Sequence, residues 1–276
     1  MREPNHWRRM LIIWAVLTVI VWPIVVFVLN PDLPPGREAD DAKGVITDQT
    51  VLYAVAVPIA LGLLVYFAYT LFTFRARGPE PGEGVAIRED PRIGRVWLTV
   101  TILIALGLAI FGTVRLLEGG AGGGQGSDPL TPEDGDALEV QVIGQQWDFT
   151  YRWPSYGGVE TQQLILPVDR EIEFHVTSLD VIHSFWAYEL GVKADANPAT
   201  DNVTFVKPDE TGEFVVRCAE LCGLWHGYMY DNHGRVVSEA EFESWIRERQ
   251  RTLAPATSAL PPYSHIYFPK PERRAG

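Results

Sequence analysis

Three apolar runs dominate the first half of the chain: Met10 to Asn30, Thr50 to Phe74 and Val96 to Leu117. Each is about 20 residues or longer, enough to cross the hydrocarbon core of a bilayer as a helix. Only Arg115, near the end of the third, puts a charge inside any of them. Pro23 and Pro58 would weaken a soluble helix, but both are tolerated within a membrane. Runs this long and without a polar face exclude the buried helices of a soluble core.

Arginine placement orients the spans. Arg2, Arg8 and Arg9 precede the first run, and Arg75, Arg77, Arg88, Arg92 and Arg95 fill the loop between the second and third. The first loop is acidic, with Asp32, Glu38, Asp40, Asp41 and Asp48 against Arg37 and Lys43. The positive-inside rule then puts the N-terminus and second loop in the cytoplasm and everything after Leu117 outside. This predicts a multi-pass protein of a bacterial cytoplasmic membrane with an external C-terminal domain. The first run also reads as a signal peptide, so a cleaved signal and a retained helix both stand.

Five segments follow: 1–47, a signal or anchor plus external loop; 48–117, a membrane hairpin; 118–137, a Gly-rich linker; 138–251, a β domain; and 252–276, a Pro-rich tail. The linker, EGGAGGGQGSDPLTPEDGD, is polar and flexible in composition. Beyond it Leu138 to Trp147, Glu171 to Thr177, Asn202 to Val206 and Glu213 to Cys218 read as strands, with Pro and Gly in the gaps. Such a pattern predicts an all-β sandwich or barrel. Ser238 with Glu241 forms a capping box for one terminal helix, whose Phe242, Trp245 and Ile246 make a docking face. From Leu253 onward the chain is expected to be extended or disordered. A net charge of −12 argues against nucleic-acid binding and favours cationic partners.

The chemistry concentrates in Cys218-Ala-Glu-Leu-Cys222-Gly-Leu-Trp-His226-Gly-Tyr-Met229. Thiolates, imidazole and thioether together favour copper over magnesium, calcium or manganese. A mononuclear blue-copper site needs one Cys, two His and a weak Met, so the second Cys exceeds it. Two thiolates could bridge two metal ions; a local disulfide is the plainer alternative in an exported domain. The second histidine is best supplied by His183, expected at the end of an apolar strand. His175 alternates in phase with Glu171 and Glu173 and is expected to face solvent. His233 lies in a turn, and His6 and His265 sit near the termini.

The stretch Val140 to Ile246, with its Cys-x-Glu-x-Cys-x3-His-x2-Met motif, resembles the cytochrome c oxidase subunit II family. That resemblance implies a membrane-anchored cupredoxin domain with a binuclear copper centre, CuA, held by His183, Cys218, Cys222, His226 and Met229, with the Glu220 carbonyl. It implies that the Glu220 carboxylate reaches a Mg or Mn ion at the interface with subunit I, near the similar loop Leu190 to Pro198. Gly144-Gln-Gln-Trp147-Asp-Phe149-Thr-Tyr151 resembles the segment through which electrons enter, with Trp147 as entry residue and Phe149 and Tyr151 as core. The implied partners are oxidase subunits I and III, membrane lipid and cytochrome c or a similar cationic donor. The implied function is electron transfer from that donor to the haems of subunit I, where oxygen becomes water with proton translocation. A nitric oxide reductase subunit is the alternative. The departures are the extra first run, Thr200 where the family loop often has Arg, and Gly94 where many members carry a proton-channel glutamate. Without Cys-x-x-Cys-His, no haem is expected in this chain.

Overall fold

A computed structural model describes residues 5–33, 36, 38–75, 90–118 and 137–259. Most of the linker, and the chain from residue 260 onward, lie outside the described residues. The chain divides into two compact units, one of residues 1–33 and 47–118, the other of 34–46 and 119–276.

Among the described residues three helices are long and apolar enough to span a membrane: His6–Leu29 and Pro91–Leu117 in the first unit, and Ala42–Thr73, whose residues from Thr47 onward belong to it. Helix α1 (His6–Pro23) continues through a π-helical turn, Ile24–Leu29, and α2 (Asp40–Thr73) and α3 (Pro91–Glu118) follow. Most of their large apolar side chains, such as Leu63, Phe72 and Leu103, face outward, as lipid-facing residues do. Pro58 lacks the N–H that would bond the Ala54 carbonyl. The indole Nε1 of Trp22 donates to that carbonyl at 3.0 Å. Trp14 Nε1 likewise donates to the Pro58 carbonyl at 2.9 Å, with Gly62 beside the indole. The first helix therefore satisfies backbone groups of the second.

Among the described residues of the second unit ten strands form two five-stranded sheets. The first has the order β3-β2-β1-β5-β8, built from Val159–Thr161, Asp148–Trp153, Leu138–Gln145, Ile172–Ser178 and Asn202–Val206. The second has the order β4-β10-β9-β6-β7, built from Ile165–Pro167, Tyr230–Val237, Gly212–Cys218, His183–Ala187 and Val192–Ala196. The core lies between them, filled by Tyr151, Trp153, Phe174, Phe185 and Phe214, all fully buried. The three-residue strands β3 and β4 are too short to carry an alternation of their own, and their pairing comes from tertiary register rather than local pattern.

Helix α4 (Glu239–Ala259) closes the unit. Glu241 N–H bonds to Ser238 Oγ at 3.3 Å, one half of a capping box, while the Glu241 carboxylate pairs with Arg235. Phe242 and Ile246 are fully buried, and Trp153 packs on Phe242 and Trp245 at 5.6 Å between ring centroids. The expected end near 251 is corrected: the helix runs to Ala259, and Leu253 packs against the core as its continuing anchor. Part of the acidic first loop also folds here. Glu38 bonds through its backbone to Glu189 and Asp209, Ala39 bridges Pro208, and Ala39 and Ala42 are fully buried.

A second correction concerns His175. It lies on the outward face of β5, opposite buried Ile172, Phe174 and Val176, yet it is itself only 4% exposed. Its Nδ1 meets the Asp201 carboxylate at 2.8 and 3.0 Å, and Nε2 lies 3.2 Å from Glu173. Burial pulls its pKa down, but the bonds to Asp201 and Glu173 outweigh it and push the pKa up to about 9.

Candidate metal centre

The copper-type donors converge where β6, β9 and the start of β10 meet. Phe185 and Cys218 are register partners, so His183 and Cys218 project side by side at one end of the sheet. The N–H of Ala219 bonds to the Ser184 carbonyl at 2.9 Å, and that of Cys218 to the Met229 carbonyl at 3.0 Å. These two bonds tie both ends of the 218–229 loop to the ladder. A single 3-10 turn, His226–Tyr228, brings His226 back toward the cysteines.

His183 Nδ1 lies 3.9 Å from Cys218 Sγ, and the two sulfurs are 3.7 Å apart. Cys222 Sγ lies 3.4 Å from His226 Nδ1 and 3.7 Å from Met229 Sδ. The Glu220 carbonyl is 3.2 Å from Cys218 Sγ, while its side chain belongs to an exposed residue. Both cysteines are free and buried, so the disulfide alternative does not hold here. Thiol donors about 2.3 Å from one ion at a tetrahedral angle stand roughly 3.7 Å apart. Burial, followed by the neighbouring Cys218, pushes the Cys222 thiol up to about 12. A cation between the sulfurs removes that penalty, and this donor set fits copper. His183 and the two cysteines bring one ligand atom each within 4.8 Å of one another, consistent with a CuA-type site.

His183 opens strand β6 rather than ending one, correcting the expected placement. Its Nε2 meets Asp180 Oδ1 at 2.9 Å, which leaves Nδ1 facing Cys218. Composition does not mark Asp180 as a site residue; its one signal in the sequence is its place three residues before His183. Its other oxygen accepts the Gln146 N–H at 2.7 Å.

Trp147 lies in the turn between β1 and β2, half-buried, with Nε1 3.3 Å from the Cys222 carbonyl. Gln146 Nε2 reaches the same carbonyl at 2.9 Å. Gly223, with φ of 122°, permits this approach, since a Cβ there would stand 2.9 Å from Gln146 Nε2. Trp225 and Tyr228 extend the aromatic contact outward, with centroids 6.5 Å from Trp147 to Trp225 and 5.6 Å from Trp225 to Tyr228. Phe149 and Tyr151 are core residues.

Comparison with known proteins gives a coherent result. Residues 159–232 match the family model "Cytochrome C oxidase subunit II, periplasmic domain". The cytochrome c oxidase subunit 2 of Bacillus subtilis is 29% identical over 93% of this chain and 72% of its own length. That of Thermostichus vulcanus is 25% identical over 90% and 89%. Among solved structures, the periplasmic domain of subunit II of cytochrome oxidase from Bradyrhizobium japonicum is 33% identical. It covers 45% of this chain and 99% of that one, with a TM-score of 0.41.

Proposed function

As a member of the cytochrome c oxidase subunit II family, this chain is part of a haem–copper oxidase, and we propose that it is the subunit through which electrons enter. The observation that carries the reading is the pair of buried sulfurs 3.7 Å apart, flanked by two imidazoles and a thioether. When bound, a binuclear copper centre supplies a one-electron relay there. Cys218 and Cys222 would hold it through their thiolates. His183 and His226 would supply imidazole ligands, Met229 a weak thioether and Glu220 its backbone carbonyl.

Trp147 receives electrons from a docked donor and passes them through its contact with the Cys222 carbonyl. In the complex that relay would serve the haems of subunit I, where oxygen would be reduced to water with proton translocation. Between Glu118 and Arg249 stand 24 acidic residues against eight basic ones. A field of that sign attracts a cationic carrier such as cytochrome c. The β domain would lie on the external side of the membrane, and the Glu220 carboxylate would help hold a Mg or Mn ion shared with subunit I. Subunit III completes the assembly. Gly94 puts no carboxylate at its own position in the first turn of α3, where Asp90 caps the helix, so proton uptake would not use an acid at residue 94.

The test is donor-driven reduction of the purified complex by stopped flow. Trp147→Ala is expected to slow reduction by an order of magnitude or more, with the copper spectrum and donor affinity nearly unchanged. A parental rate in that variant returns Trp147 to a packing role.

A further inference from the structure

The cluster around His175 takes no part in the copper chemistry. Glu139 on β1 and Glu173 on β5 are direct partners across the parallel ladder, and His175 lies two residues further along the same face. Like charges directly opposite one another weaken a sheet. Here both carboxylates belong to partly buried residues and the imidazole is buried, with one ligand atom from each within 4.8 Å of the others. Among the described residues Glu139 forms no ion pair or hydrogen bond of its own through its side chain. The carboxylates of Glu139, Glu173 and Asp201 lie around this imidazole, while Arg152, bonded to Gln141, is engaged by Glu160. Carboxylates therefore outnumber cations around the imidazole.

The hydrogen-bond pattern of His175 separates its two nitrogens. Nδ1 is fixed by both oxygens of Asp201, at 2.8 and 3.0 Å. Nε2 faces Glu173 Oε1 at 3.2 Å. A ligand nitrogen and oxygen each about 2.1 Å from one ion stand roughly this far apart at near-right or tetrahedral angles. A carboxylate on the far nitrogen is the usual outer support of a metal-bound histidine.

We propose that Glu139, Glu173 and His175 form a second metal site, for a divalent cation of the zinc type, with Asp201 as its outer support. One imidazole nitrogen and two carboxylates suit Zn2+, with water filling the remaining position. The cation cancels the Glu139–Glu173 repulsion and staples β1 to β5, which in turn leads through Asp180 to His183. The site stands apart from the copper ligands and does not depend on the electron-entry reading.

The test uses the full chain in detergent with its copper loaded, and Zn2+ alone as probe. One zinc per chain is expected to bind beyond the copper and to raise the unfolding temperature of the β unit, since a ligand of the folded state stabilises it. Glu139→Gln/Glu173→Gln and His175→Gln should each abolish that uptake. Asp201→Asn should weaken it about 10–100-fold. An unchanged copper spectrum serves as the folding control; if His175→Gln fails it, the double glutamate variant decides. Absence of zinc uptake by the parent, or equal uptake by the double variant, overturns the proposal and leaves the cluster as an imidazolium held between carboxylates.

Discussion

Asp180 and His183 are joined by a 2.9 Å hydrogen bond from imidazole Nε2 to carboxylate Oδ1, and this bond turns Nδ1 toward Cys218, 3.9 Å away. The same carboxylate is anchored by the backbone N–H groups of Gln146 and Val181. The ligand is thus oriented by a residue tied to the segment that carries Trp147. Asp180→Asn is expected to weaken copper retention about 10–100-fold, the usual cost of losing such an outer partner. Competition with a graded copper chelator measures this, and parental retention would show that packing alone orients His183.

Gly223 occupies a positive φ of 122°, and a Cβ there would stand 2.9 Å from Gln146 and 3.3 Å from Trp147. Gly223→Ala is expected to cost about 1–3 kcal/mol, from backbone strain alone, and to push Trp147 off the Cys222 carbonyl. Denaturant unfolding gives the first quantity. Tryptophan fluorescence of the native state gives the second, and an unshifted spectrum would refute the close approach.

Trp22 supplies the hydrogen bond that Pro58 denies to Ala54, which makes α1 a structural partner of α2. Trp22→Phe should weaken that helix pair by about 0.6 kcal/mol, and by no more than about 1.7. The mature protein should retain α1, as intact-mass measurement of the purified complex would register. A mature start between Pro31 and Asp48 would mean that these bonds are lost on processing.

Glu38 is half-buried beside Glu189, Glu210 and Glu213, and burial first, then these charges, push its carboxyl up to about 7. A group whose folded pKa is raised contributes stability below its unfolded value, near 4.5, which is lost as pH rises through about 7. Glu38→Gln should therefore raise the unfolding temperature of the β unit at pH 8 and leave it unchanged at pH 4. The gain is a few degrees at most, since solvent screens a half-exposed group. A gain that is equal at both pH values would assign it to packing against Gly212 instead.

The membrane spans and the donor set could be read from the chain because each has a strong local signal: uninterrupted apolar length in one case, four soft donors within twelve residues in the other. The fate of His175 could not. Alternation correctly assigns it to the outward face with Glu171 and Glu173, but exposure depends on Asp201, which lies 26 residues away and arrives only when β8 pairs with β5. Asp180 escaped notice for a similar reason, since an acidic residue in a turn looks solvated until its histidine folds over it. The first loop reads as a connector by composition, yet Ala39 and Ala42 are small enough to bury against the β unit.

The most direct test of the account is copper stoichiometry and electron spin resonance of the full chain in detergent. Two copper ions per chain are expected, with one unpaired electron shared over both nuclei, and Cys218→Ser should abolish the sharing because a hydroxyl cannot replace a bridging thiolate. Met229→Leu should keep both ions and shift only the potential. A single copper ion with a one-nucleus hyperfine pattern in the parent chain would contradict the binuclear centre, and with it the electron-entry role.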